Sequence, residues 1–265
     1  MLQAYLYIAK MKLLTNLTYR FEWLTSIFTN LILMLASVFI WQAAYRGGGG
    51  AGEALSVDDM VTYSILSSTL GALFVCNVQD TIYVKMREGQ IATDLYRPLP
   101  LLGGYLADDI GGMLSSILNN AIPLFLFAAL FFGFPGPADP LSLALFIPSC
   151  LLSYGILWLL SALVGMVAFW VMELGNMGMV KDVILRVLSG AFVPIWFFPG
   201  PVQTVSAFLP FQYTYQTPLG IYIGRVGTYE ALGDMAVQAV WIALLALLLA
   251  AVWRRAKTKT LIQGG

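Results

Sequence analysis

Charged residues punctuate the chain so as to leave six stretches free of Asp, Glu, Lys and Arg: 23–45, 60–79, 110–138, 140–172, 187–224 and 235–253. A helix needs about 20 predominantly apolar residues to cross roughly 30 Å of hydrocarbon, and every stretch is close to that length or longer. The pattern predicts an all-α polytopic membrane protein. Five stretches each accommodate one crossing, expected near 23–45, 60–82, 112–134, 143–172 and 233–253. The stretch 187–224 is too long for one helix and is broken by Pro194, Pro199, Pro201, Pro210 and Pro218. A crossing over 181–198 leaves residues 199–224, too few for two more. Those residues are expected to form a re-entrant or interfacial helical hairpin on the outer side, turning at Pro199-Gly200-Pro201 and again near Pro210. Such backbone persists at membrane depth only where it packs in protein or lines a wet cavity.

Ahead of the first stretch, Leu2, Leu6, Ala9, Leu13 and Leu17 share one helical face, and Lys10, Lys12 and Arg20 precede any acidic residue. This predicts an N-terminal amphipathic interface helix within 1–22, lying on an anionic leaflet. A cleaved signal peptide fits less well, because 23–45 is longer than an apolar signal core. Orientation follows from Lys and Arg. Segments 1–22, 80–109, 173–186 and 254–265 together hold twelve, against only Arg46 and Arg225 in the segments between them. Both termini are therefore expected in the cytoplasm, which requires an even number of crossings and agrees with six transmembrane helices.

Composition narrows the chemistry. Of 265 residues, 11% are charged and 59% hydrophobic, where soluble domains carry about 25% charged residues. There is no His, so a Ser-His-Asp triad and a His metal site are excluded. Cys76 and Cys150 lie far apart in charge-free stretches and read as buried thiols. The Gly47–Gly50 cluster lacks the Lys of a phosphate-binding loop, so the chain is not expected to be an enzyme that hydrolyses ATP. Basic and acidic totals are equal at 14 each, which suggests no nucleic-acid partner. No repeat and no similarity between halves is visible.

Polar residues in or beside the expected spans are the candidates for a pathway: Asn77, Asn119, Asn120, Gln212 and Tyr213. Asn119 and Asn120 serve equally as hydrogen-bonding glue between helices. Asp80 is expected to answer Lys85 at the inner interface, and Glu173 to pair with Lys181. Trp23, Trp41, Tyr45, Trp170, Trp196 and Trp253 read as interfacial anchors. A pathway of aromatic, Met and small polar residues without buried cations or paired acids suits an amphipathic or hydrophobic cargo.

Residues 84–100 form the one long inner loop, with Ile91 and Leu95 four apart, Gly89 suited to a turn, and Arg97-Pro98 forcing an extended exit. A short amphipathic element on the cytoplasmic face is expected, either gripped by a partner or simply solvated. Here Arg87-Glu88-Gly89-Gln90-Ile91, followed by Asp94-Leu95-Tyr96-Arg97-Pro98-Leu99, resembles the loop after the second helix in permeases of the ABC-2 family of ABC transporters. Leu188-Ser189-Gly190 through Pro199, then Leu209-Pro210-Phe211-Gln212-Tyr213 and Gly220–Gly224, is similar to that family's fifth helix and outer hairpin. The resemblance spans nearly the whole chain and is greatest to the subgroup of about 260 residues that often occurs with a second permease. It implies one ABC-2-type transmembrane domain over 1–265, of the type V exporter kind, with 199–224 as its re-entrant hairpin. It also implies residues 85–98 as the element that docks on a P-loop ATPase, through Arg87, Glu88, Gly89, Asp94, Arg97 and Pro98. ATP and Mg would sit on that separate subunit, with no cofactor or metal in this chain. The other expected partners are membrane lipid and a second permease, a related chain rather than a second copy, in a bacterial cytoplasmic membrane. An autonomous ion-coupled carrier or channel is the alternative.

Overall fold

The computed structural model describes residues 2–47, 56–96, 99–133, 136–171 and 176–263. All regular elements among them are helical: α1 (Leu2–Thr18), α2 (Arg20–Arg46), α3 (Val57–Leu73), α4 (Val78–Arg87), α5 (Gln90–Leu95), α6 (Leu101–Ser116), α7 (Ile122–Phe132), α8 (Pro140–Met166), α9 (Met177–Leu188), α10 (Gly200–Ala207), α11 (Gln216–Tyr222) and α12 (Thr228–Gln263). Five helical stretches among the described residues are long and apolar enough to cross a membrane: Phe21–Arg46, Val57–Arg87, Leu101–Phe132, Pro140–Phe169 and Thr228–Thr258. They match five of the expected spans, with the second and third each beginning earlier than the charge-free stretches suggest.

The helix expected over 181–198 differs. α9 has 12 residues, about 18 Å at 1.5 Å per residue, and stops where Gly190 takes φ 81°. Two side chains of α3 hold the turn open: the Tyr63 hydroxyl donates to the Gly190 carbonyl at 2.7 Å, and Ser67 Oγ to that of Ala191 at 2.6 Å. Gln216 completes it, donating its N–H to Ser189 and accepting the Ile195 N–H on Oε1. Those long-range hydrogen bonds end the helix early. α10 and α11, of eight and seven residues, follow within the segment expected to form the hairpin.

The second and third spans are each interrupted. Residues 74–77 break the second between α3 and α4. A π-type bulge over Ile117–Ala121 joins α6 to α7 and packs on α2 and α3. Ser116 Oγ donates across to the Ala72 carbonyl.

α1 packs along α6. Tyr5 faces Gly103, Ala9 faces Gly111, and the Asn16 amide donates to Ser115 Oγ at 2.9 Å, so the two helices run parallel. Gly103, Ala107 and Gly111 form a small-residue stripe at four-residue spacing, which lets two helix backbones approach closely. A Cβ on Gly111 would stand 2.3 Å from the Ala9 carbonyl oxygen. Lys12 pairs with Asp108 at 3.2 Å and is not left to lipid alone. Of the predicted leucine face, Leu2, Leu6 and Leu17 are exposed, while Ala9 turns to α6.

α8 and α12 also run parallel: Gln238 meets Ser149 and Ser153, Ile242 meets Gly155, and Trp253 meets Phe169. The fully buried Gln238 amide donates to Ser153 Oγ and to the Tyr213 carbonyl at 2.7 Å, and its oxygen accepts from Ser149 Oγ. One side chain thus joins α8, α12 and the hairpin segment.

Replacing Gly111 by Val should push α1 off α6, since the clash is with backbone. The cost expected is about 1–3 kcal/mol, read as a lower unfolding midpoint in detergent, together with loss of an engineered disulfide between positions 16 and 115.

Candidate functional site: a pinned corner beneath a charged cavity

The corner expected on the cytoplasmic side is made by α4, α5 and the start of α6. Gly89, at φ 71°, turns the chain between α4 and α5, a conformation that costs a side-chain-bearing residue energy. α5 is tied down on its inner face. Ile91 is buried, and the buried Asp94 pairs with Lys85 at 2.5 Å and accepts from the Tyr105 hydroxyl at 3.2 Å. Lys85 also lies over the Tyr105 ring, 4.8 Å from its centroid. On the outer face, Arg87, Glu88 and Gln90 are exposed, Tyr96 is 90% exposed, and Glu88 accepts from the Gln90 amide at 2.8 Å. Arg97 and Pro98 lie outside the described residues. The expected coupling residues therefore divide. Arg87 and Glu88 face outward, Gly89 shapes the turn, and Asp94 fastens the element from beneath.

Lys85 thus answers Asp94 and not Asp80, contrary to the sequence expectation. The reason is the Gly89 turn, which folds α5 back under α4. Glu173 lies outside the described residues; Lys181 pairs with Asp182 at 3.1 Å and donates to Ser161 Oγ at 3.0 Å.

Asp109 holds α4 in place. It lies on α6, is 2% exposed, and accepts three hydrogen bonds: from the Asn77 N–H at 2.9 Å, the Val78 N–H at 3.0 Å and Trp158 Nε1 at 3.0 Å. Its carboxylate therefore serves N–H groups that the break at 74–77 leaves outside a helical ladder, and it ties the start of α4 to α6 and α8. Sequence reasoning treated Asp109 only as the edge of a charge-free stretch. The usable signal was an acid directly before a span, adjoining Gly111-Gly112, where an ionisable group needs a partner.

Above the corner lie three adjoining cavities. The first, of about 480 Å³, is bounded by Gln79, Asp80, Gly178, Asp182, Arg186 and Phe192. The second, of about 280 Å³, shares Gln79, Asp80, Asp182 and Arg186 and adds Cys76 and Asn77. A third, of about 120 Å³, reaches Asn30 and Ser37 of α2 and keeps Arg186 in its wall. Gly178 lets α9 pass over the Gln79 amide: a Cβ there would stand 2.2 Å from Nε2. Two cations and two acids thus face this space, which corrects the expected uncharged pathway. Lys181 and Arg186 had been counted as loop charges, although both fall inside the span expected over 181–198. Read as α9 runs, they alternate with Val180, Val183, Ile184 and Val187, an amphipathic helix with a charged inner face.

Of the expected pathway residues, Asn77 lines a cavity. Asn119 and Asn120 lie in the π-type bulge against α2 and α3, with the Asn120 amide donating to Ser116 Oγ, in the position of helix glue. Tyr213 donates its hydroxyl to the Ala207 carbonyl and lends its own carbonyl to Ser153 and Gln238. The Gln212 carbonyl accepts the Thr217 N–H. These last four are not brought together with Asn77. Trp196 packs edge-on against Tyr63 and under the Arg225 guanidinium, so it anchors protein to protein.

Long apolar helices around a polar cavity, above a pinned corner, define a multi-pass membrane protein. The chain belongs to the family described as ABC-2 family transporter protein, whose pattern it matches over residues 31–264. No curated protein matches it significantly.

Asp109→Ala should strand the Trp158 indole N–H and the two backbone N–H groups. With buried donors costing about 1–3 kcal/mol each when unpaired, the variant should unfold markedly earlier, and hydrogen exchange across 77–96 should accelerate well beyond that of α12. Equal exchange in both regions would refute the pinning role.

Proposed function

We propose that this chain is a permease subunit of an ATP-binding cassette exporter, driven by ATP hydrolysis on a separate P-loop subunit that also holds the Mg. Family membership supports the class. The observation that carries the coupling is the corner itself: exposed Arg87, Glu88 and Tyr96 ride on an element fastened through Asp94 to Lys85 and Tyr105. A push on the outer face is then delivered to α4 and α6 and is not absorbed by a loose loop. Arg97 and Pro98 follow Tyr96 directly in sequence. Because α4 forms one side of the cavity through Gln79 and Asp80, displacement of the corner changes the cavity wall.

The chain makes six crossings in this reading, with both termini in the cytoplasm of a bacterial inner membrane. The parallel run of α8 and α12 supports an additional return crossing between them, made by α9 and the irregular residues after it. α10 and α11 are too short to cross, which supports a re-entrant hairpin over 199–224. The transporter moves an amphipathic cargo outward and pairs this chain with a second permease, a related chain in preference to another copy.

An ion-coupled carrier keeps one observation in its favour, the carboxylates Asp80 and Asp182 at the cavity, and a single experiment separates the two. Affinity purification of the tagged chain from its native membrane should bring down a P-loop ATPase and show whether a second permease accompanies it. Recovery of the chain without an ATPase sinks the exporter reading. In the reconstituted complex, Arg97→Glu and Arg87→Glu should each lower transport severalfold while leaving insertion and basal ATP hydrolysis intact; unchanged transport and substrate-stimulated hydrolysis would count against the corner as coupling element.

A further inference from the structure

Charges within membrane segments are costly and face protein or water, so the pairing of each charge around the cavity is informative. Lys181 is committed to Asp182 and Ser161. Arg186 stands in the wall of all three cavities. Among the described residues it makes no ion pair; the Phe192 ring lies 5.7 Å from its guanidinium carbon, and Tyr215 shares two of its cavities. Asp80 shares the two larger cavities with Arg186, and its hydrogen-bonding neighbour is the Gln79 amide, at 3.5 Å. The two do not pair with each other among the described residues. The cavity therefore presents one uncommitted positive and one uncommitted negative group. Apolar surface and aromatic rings surround them, from Val183, Val187 and Phe192 to Phe74 and Tyr215.

A wholly apolar occupant would desolvate both charges without compensation, and a singly charged one would leave the other unpaired. A zwitterion answers both. We propose that this cavity selects a zwitterionic amphiphile of the phosphocholine type, its anionic group on Arg186, its cationic group at Asp80, and its apolar part along α9. The guanidinium suits a phosphate through paired N–H donors, and the aromatic rings that line the cavities with Asp80 suit a quaternary ammonium. This assignment deepens the permease reading and rests on it for the cavity's being a cargo site.

The test uses the full chain in uncharged maltoside micelles with three probes of equal chain length: hexadecylphosphocholine, hexadecyl phosphate and hexadecyltrimethylammonium. Binding of the zwitterion should be about tenfold tighter than that of either singly charged probe, a factor typical of one charge-assisted hydrogen bond. Arg186→Gln should lower zwitterion affinity about tenfold and leave the ammonium probe nearly unchanged, Asp80→Asn should spare the phosphate probe, and Arg186→Lys should restore part of the loss. Equal binding of the three probes by the unaltered chain would overturn the proposal with no variant needed, as would a preference indifferent to both substitutions. Zwitterion selectivity without a co-purifying ATPase leaves this assignment standing and removes the permease-subunit reading. An ATPase without selectivity does the reverse.

Discussion

The inner half of the molecule hangs on one carboxylate. Asp109 is buried in a membrane helix, where desolvating an ion costs several kcal/mol, and it is kept by three donors from two other elements. Hydrogen bonds to charged groups contribute about 1.5–3 kcal/mol each, so three are of the size needed to offset that cost. The exchange is mutual. The carboxylate is tolerated because α4 begins at Asn77 and Val78 and α8 brings Trp158, and α4 can begin there because the carboxylate accepts its first free N–H groups.

From that point the polar contacts fall into two groups. α4, α6 and α8 are joined by Asp109 below the break, and Lys85, Asp94 and Tyr105 extend the same block to α5 and the corner. Above the break, α3 is bonded through Tyr63 and Ser67 to the turn that ends α9. The cavity lies across the boundary: Gly71 and Phe74 belong to the upper group, Gln79 and Asp80 to the lower, and Arg186 reaches in from α9. Ser116 of α6 bonds the Ala72 carbonyl of α3, and Lys181 of α9 bonds Ser161 of α8, so the two groups are tied at these points and share the cavity wall between them.

Hydropathy made most of the architecture legible. Runs without charge located five spans, four of them to within about five residues and the third with its start eleven residues late, because excluding ions from hydrocarbon is a strong and local constraint. The sequence also marked Gly89 as a turn and Ile91 as one of two apolar positions on a short amphipathic element, of which Ile91 is buried. It misled wherever a distant residue decides the outcome. α9 stops at Ser189 because Tyr63, well over a hundred positions earlier, needs the Gly190 carbonyl. Lys85 prefers Asp94 to Asp80 because of a fold in three dimensions. α1 follows α6 through backbone proximity at Gly111, which the leucine periodicity of Leu2, Leu6 and Leu13 does not encode. Arg186 was visible but misassigned, since counting basic residues by segment treats every one as a surface charge.

The Gln238 clamp bears on how the molecule is made. Its partners, Ser149 and Ser153 on α8 and the Tyr213 carbonyl, all precede it in the chain. As a polypeptide enters the bilayer in order of synthesis, Ser153 can already donate to the Tyr213 carbonyl before Gln238 exists. α12 then acts as a bolt on a frame that is partly latched. Until it arrives, the Ser149 hydroxyl lacks the amide oxygen that receives it, and the joint between α8 and the hairpin rests on a single hydrogen bond.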